Sequence, residues 1–366
     1  MTAGALPPEA YAAAVAGLPG VGPAALARLL AGGDPADGWR RALAERGRRP
    51  SPDDAEVAAG WAALEAAGVT VIVPGRPGYP PVLAADPEPP PVLFALGDVG
   101  AVEGRRVALV GTRSCTRYGR EVAFELGRDL AASGVRVVSG LALGVDGAAH
   151  TGALAAAGSS AGAGPPVAVV GSGVDVVYPR RHGALWRQVA EAGVLLSEAP
   201  MGAPPEPWRF PVRNRILAAL AEVVVVVESP HAGGSRYTVE AAMARDRQVM
   251  AVPGPVRSAT SDLPNALLSE GCHPVRDAQD VLVALDLAHG GPCASRGAAA
   301  RADPRPPPGE AGAAVLEALG WQPATFEQVV VAAGRSPAEV GLALAHLERD
   351  GWVAGEGGWW ERVGPG

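Results

Sequence analysis

The chain has 366 residues, a length that fits two or three domains, with 48% apolar and 19% charged residues. That composition supports a large core and excludes a disordered chain. Every one of the 31 basic residues is arginine, set against 38 acids, for a net charge of −7. A Walker lysine, Schiff-base chemistry and a lysine general base are therefore excluded, and any anion site must use arginine, histidine or backbone N–H groups.

The charge is unevenly divided. Residues 1–104 carry 7 arginines and 12 acids, residues 105–285 carry 18 and 16, and residues 286–366 carry 6 and 10. A mildly basic middle in an acidic protein can still hold a polyanion if its arginines gather on one face. The longest apolar runs, such as Val223 to Val227, fall far short of a membrane span. The N-terminal residues lack a basic region, so no signal peptide is read. Cys115, Cys272 and Cys293 have no metal-like spacing, which fits a reduced, cytoplasmic compartment and no metal.

In chain order, residues 1–70 read as a helical domain. Gly20-Val21-Gly22 between two helical stretches resembles a helix-hairpin-helix turn, although an ordinary helical hairpin explains it as well. Ser51 and Pro52 are the expected cap and first residue of a later helix. Residues 71–286 form the next domain. Continuous apolar runs at 107–111, 135–139, 167–171, 194–197, 223–228 and 248–252 alternate with helical patterns at 119–134 and 182–193. Such runs are strands buried on both faces, and the alternation predicts an α/β, doubly wound, mostly parallel sheet. Residues 158–166 read as a flexible connector. Residues 287–310, rich in Pro, Gly and Ala, read as a linker. Residues 311–366 read helix, helix, helix, hairpin: a winged-helix pattern, with Ser336 to Glu339 as a capping box.

Five features could carry chemistry. Gly111-Thr112-Arg113-Ser114 follows the first strand of this domain and precedes a helix, where backbone N–H groups and an arginine favour an anion. It is not GxGxxG, and no acid closes the next strand, so a dinucleotide site is not expected. Ser139-Gly140 and Gly171 end the two following strands with small residues, leaving room for a ligand at the sheet edge. Asp146 and His150, four apart on one helix, either form an acid–base pair or are structural. Trp208 to Arg215 (WRFPVRNR) packs three arginines, two aromatics and an Asn into eight residues. Aromatic faces stack on bases and arginines clamp phosphates, which suits single strands. Gly233-Gly234-Ser235-Arg236 opens another helix after a strand, and Glu240 beyond it admits a nucleotide-hydrolase reading.

Six segments then occur in a telling order: GTRSCTRYG (111–119), SGLALGVDGAAH (139–150), GSGVDVVYP (171–179), FPVRNRILAAL (210–220), GGSRYTVEAA (233–242) and AVPG (251–254). Together they resemble the DprA/Smf family of DNA-processing proteins, most strongly over residues 76–285. The resemblance implies an extended Rossmann-like sheet that binds single-stranded DNA without sequence preference. It also implies loading of RecA recombinase onto strands coated by single-strand-binding protein, a role in natural transformation, a homodimer, and neither enzymatic activity nor a cofactor. By position, Arg113, Phe210, Arg213, Asn214 and Arg215 would form the DNA groove, lined by Gly111, Ser139, Gly171 and Ser235. Thr112, Gly140, Arg209, Gly234 and Arg236 join them from the reading of the residues. Where the family often has a basic residue this chain has Pro207, and Arg236 is expected to compensate. The winged helix, with 3 arginines and 7 acids over residues 311–362, is expected to contact protein, or DNA only weakly.

Overall fold

The computed structural model describes residues 6–31, 33–50, 54–158, 160, 162–289, 305–321 and 323–363. Residues 1–294 form one compact unit and residues 295–366 a second. The expected cap at Ser51-Pro52, much of the linker, Cys293, and Ser159 and Ala161 of the connector lie outside the described residues.

The first unit opens with four helices: α1 (Pro8–Gly17), α2 (Pro23–Leu30), α3 (Pro35–Ala44) and α4 (Ala55–Ala66). The first three begin at a proline, whose fixed φ suits the first turn and whose missing N–H costs nothing there. Strand β1 (Val69–Ile72), the short helix α5 (Pro81–Ala84) and β2 (Leu93–Gly97) follow. The boundary expected at residue 70 thus falls inside a strand.

The doubly wound part then runs β3 (Arg106–Val110), α6 (Arg117–Ala132), β4 (Arg136–Ser139), α7 (Val145–Ala157), β5 (Val167–Val169), α8 (Gly183–Ala192), β6 (Val194–Ser197), α9 (Arg209–Leu220), β7 (Val223–Val226), α10 (Ser235–Met243), β8 (Gln248–Ala251), α11 (Asp262–Ser269), β9 (His273–Pro274) and α12 (Ala278–His289). The strands order β1-β2-β6-β5-β4-β3-β7-β8-β9 in one sheet, parallel except around β2, which is antiparallel to both neighbours. From β3 the chain winds outward through β4, β5 and β6, then crosses back to place β7 on the other side of β3. Such a switch opens a crevice at the carboxyl ends of β3 and β7. Helix α12 continues to His289, so the expected linker start at residue 287 is still helical.

Three apolar layers hold the unit together. One face of the sheet packs α9, α10 and α11 against Val110, Val169 and Val226. The other face packs α6, α7 and α12 against Leu109, Val137 and Val225. The N-terminal helices pack on one another and share their core with the sheet. Ala12, Leu29 and Trp39 share one cluster with Phe94, Ala168 and Leu195 of the sheet and Trp186 of α8. Helices α6 and α7 approach so closely that a Cβ added at Gly127 would collide with Ala149 O, and one at Gly152 with Phe124 O.

The Asp146–His150 pair does not form. Asp146 Oδ2 accepts from Ala142 N at 3.4 Å, whereas His150 Nε2 donates to Val167 O at 3.2 Å; both side chains are buried. His150 is a structural group, whereas Asp146 lies 3.9 Å from Arg213.

The second unit contains α13 (Glu310–Leu319), β10 (Ala324–Thr325), α14 (Phe326–Ala333), α15 (Pro337–Arg349) and the hairpin β11 (Val353–Glu356) and β12 (Trp359–Arg362). Its strands order β10-β12-β11. The capping box at Ser336 is formed, and Thr325 opens α14 with a second one.

Two outcomes follow from this packing. Gly127→Ala gains up to about 1 kcal/mol in helix propensity, but the obstructing atom is backbone and cannot rotate away, so overpacking of about 1–3 kcal/mol prevails. Urea titration should show lower stability than the parent chain. Burial pushes His150 down from the usual 6.5 to about 4, helped by the nearby Arg213 charge against the Val167 hydrogen bond. The unfolded chain takes up this proton before the folded one does. Stability should therefore fall as pH drops from about 6.5 to 4, and His150→Gln should flatten that slope in pH-dependent melts.

Candidate nucleic-acid interface

The crevice is built outward from the turn after β3. Gly111 sits where a Cβ would strike Val145 and the Glu228 carbonyl, so only glycine fits. Thr112 N donates to Glu228 O at 2.6 Å, and Thr112 O accepts from Val145 N at 3.3 Å. Gly144 presses on the same turn from the other side; its φ of +77° and its contact with the Thr112 and Arg113 carbonyls both demand glycine. Held between β7 and α7, the turn projects Arg113 into solvent. The Arg113 guanidinium lies over the Phe210 ring, 4.7 Å from its centroid. Arg113 pairs with no carboxylate among the described residues.

Phe210 is the second residue of α9. Its ring rests on Gly171, where an added Cβ would lie 3.1 Å away, so a small residue at the end of β5 seats the aromatic. Tyr178 packs beside it at 5.5 Å between centroids and is 37% exposed. Tyr237, on α10, is 54% exposed and lines the same cleft. The cleft encloses about 470 Å³ and opens to solvent. Tyr178 and Tyr237 were visible in the sequence only as parts of longer motifs. Their signal was an aromatic in a polar loop or on an exposed helix face.

Gly111, Thr112, Arg113, Phe210, Gly234 and Ser235 line the cleft together. Arg213 and Asn214 border it but are already engaged. Arg213 is buried; its guanidinium donates to Gly140 O at 2.9 Å, to Val169 O and to Asn214 Oδ1 at 3.0 Å, with Asp146 at 3.9 Å. Burial lowers its pKa, and the Asp146 carboxylate partly restores it. Asn214 Nδ2 donates to Gly234 O at 3.2 Å. Both are braces beneath the cleft rather than free clamps.

The remaining expected residues lie elsewhere. Ser139 is buried and donates to Leu109 O at 2.6 Å. Gly140 has no side chain because the Arg213 guanidinium fills that space. Arg209 stacks on Trp208 at 4.6 Å and pairs with Glu206 at 3.0 Å, beside the α1–α2 turn. Arg215 is committed to Glu198 and to Glu88 O at 2.8 Å. Arg236 pairs with Glu240 at 2.8 Å on the exposed face of α10, outside the lining of the cleft. Glu240, so paired, does not line the cleft either.

Sequence reasoning missed Glu228. It ends the β7 run, is 2% exposed, and accepts from Thr116 N at 2.8 Å, Thr116 Oγ1 at 2.7 Å and Thr260 Oγ1 at 3.2 Å. No cluster of metal-ligating residues occurs among the described residues, and no described helix is long and apolar enough to cross a membrane.

Comparison with known proteins finds relatives along most of the chain. The family profile for DNA recombination-mediator protein A matches residues 70–286, and that for the DprA winged helix domain matches residues 299–358. A putative DNA processing protein DprA of Mycobacterium tuberculosis is 38% identical, covering 90% of this chain and 81% of that protein. Protein Smf of Escherichia coli is 34% identical over 78% of this chain and 75% of its own. Among solved structures, DNA processing protein A of Streptococcus pneumoniae superposes with a TM-score of 0.62 at 28% identity, covering 76% of this chain and 98% of that one. DNA processing protein A of Helicobacter pylori, described for its single-stranded DNA binding mode, gives 0.51 at 26%, covering 59% and 95%. With one profile spanning more than half its length and a close relative along most of it, this chain belongs to the DprA/Smf family of DNA-processing proteins.

Proposed function

We propose that this chain binds single-stranded DNA without sequence preference in the crevice between β3, β7 and α9. The observation that carries this reading is the unpaired Arg113 stacked on Phe210, with Tyr178 alongside, in an open cleft. A cation beside two aromatic faces holds a phosphodiester and stacks any base, because every base has a π-face. The relative from Helicobacter pylori, described for its single-stranded DNA binding mode, supports the same reading. Arg113, Phe210 and Tyr178 are the contacts we assign, with Gly111 and Thr112 shaping the turn that presents Arg113. Arg213 and Asn214 hold them in place.

By family membership we further propose that the chain acts in the cytoplasm as a homodimer. There it would load RecA recombinase onto strands coated by single-strand-binding protein, during transformation or recombination. We take it to work as a binding protein rather than an enzyme; Glu240 pairs with Arg236 outside the cleft, and Asp146, at the cleft wall, is buried against Arg213.

Fluorescent oligo-dT titrated at two salt concentrations, beside matching duplex, tests the site. Strand affinity should exceed duplex affinity and fall about threefold for a fourfold rise in salt for each phosphate that Arg113 neutralises. Arg113→Ala should lose most of the strand affinity while melting like the parent chain. Arg215→Ala should do the reverse, since removing it strands the buried Glu198 carboxylate. Equal effects of the two on binding would sink the assignment.

The winged helix keeps its acidic balance in the folded unit; Glu339 sits in the capping box and Arg349 is tied to Asp350. Deleting residues 305–366 should leave strand affinity within about threefold, because an acidic surface gains no counterion-release energy from DNA. A larger loss would place DNA contacts on the wing.

A further inference from the structure

In a doubly wound sheet the helix after the first strand of the parallel set points its N-terminus at the crevice. Its free N–H groups and dipole there form a ready phosphate site. In this chain that helix is α6, and its N-terminus already holds an anion. Glu228, from the end of the neighbouring strand β7, places one carboxylate oxygen 2.8 Å from Thr116 N, the N-cap of α6. The other oxygen accepts from Thr116 Oγ1 at 2.7 Å and Thr260 Oγ1 at 3.2 Å. Thr116 Oγ1 in turn accepts from Gly119 N at 3.1 Å.

The seat is built for this carboxylate. A Cβ on Gly119 would occupy the space of the Glu228 carboxyl group, so the third residue of the helix must be glycine. Three separate segments converge on it: the β3–α6 turn, the end of β7 and the turn at Ser258 to Ser261. The side chain is 2% exposed. An internal negative charge therefore stands where a pyrophosphate would need to be.

We propose that Glu228 is a specificity-determining plug. It closes the phosphate site of the Rossmann-like crevice to inorganic pyrophosphate and nucleoside diphosphates, whose dense charge it repels. The cation that remains on offer is Arg113, outside the plug and beside two aromatic rings. That arrangement takes a single phosphodiester next to a base, the repeating unit of a strand. The polymer is selected because the compact anion is refused. The selection of polymer rests on the strand-binding reading above; the plug itself does not.

The test uses the full chain as wild type, Glu228→Gln and Glu228→Ala. Each is titrated calorimetrically with inorganic pyrophosphate and with ADP, and by anisotropy with oligo-dT. Wild type should give no saturable signal with millimolar pyrophosphate or ADP. Both variants should bind pyrophosphate saturably, at least about threefold to thirtyfold more tightly than the limit set by wild type, the worth of one charge at a helix N-terminus. Inorganic phosphate should raise the melting temperature of Glu228→Ala at constant ionic strength and leave wild type unmoved, a rescue that simple loss of packing would not show. Wild type binding pyrophosphate as tightly as the variants overturns the plug. If Glu228→Ala does not fold, Glu228→Gln, which keeps the shape and loses only the charge, decides the matter, and saturable binding by wild type is decisive without any variant. A gain in pyrophosphate affinity in a protein that never binds oligo-dT would leave the plug standing and remove the strand reading.

Discussion

The guanidinium of Arg213 is buried at the point where three elements end, and the cleft is organised around it. It reaches the carbonyls of Gly140, just past β4, and Val169, the last residue of β5, from a position one turn into α9. Through Asn214 the same cluster reaches Gly234, at the start of α10. A buried charge is costly unless each donor finds a partner, so this arrangement is nearly all-or-none. Phe210 stands one helical turn before Arg213, so the brace that fixes α9 also fixes the ring on which Arg113 rests.

This economy resolves the apparent conflict between an acidic protein and a nucleic-acid ligand. Many arginines of the middle segment are spent on structure. Arg106 holds Leu220 O and pairs with Glu222, Arg215 with Glu198, and Arg245 with Asp86. Net charge therefore says little about the crevice. What matters is that Arg113 is left unpaired where the sheet edge is open.

The sequence revealed much of this, for identifiable reasons. Strands β3 to β8 are runs of valine and leucine with few interruptions, because both faces are covered. Strands β1 and β2 were not read, since Val69–Ile72 includes an exposed threonine and nothing local encodes antiparallel pairing with β6. Arg113 and Phe210 were readable because glycines punctuate the strand ends around them. Arg215 looked equivalent to Arg113. Only the fold brings Glu198, from the end of β6, against it. Glu228 passed as the end of a valine run because its partners lie 112 and 32 residues away. Pairing over such distances is set by topology, not by local pattern.

The shared core of the N-terminal helices and the sheet has a consequence in the order of synthesis. Helices α1 to α4 are made first, yet the apolar surface of the cluster they belong to includes Ala168, Val170 and Leu195. Roughly a hundred further residues must be added before that surface exists, which at ribosomal rates is on the order of ten seconds. During that interval the helices pack on one another but lack the part of the cluster that the sheet supplies. A translational pause between residues 70 and 195 would lengthen the time for which that apolar surface stays open.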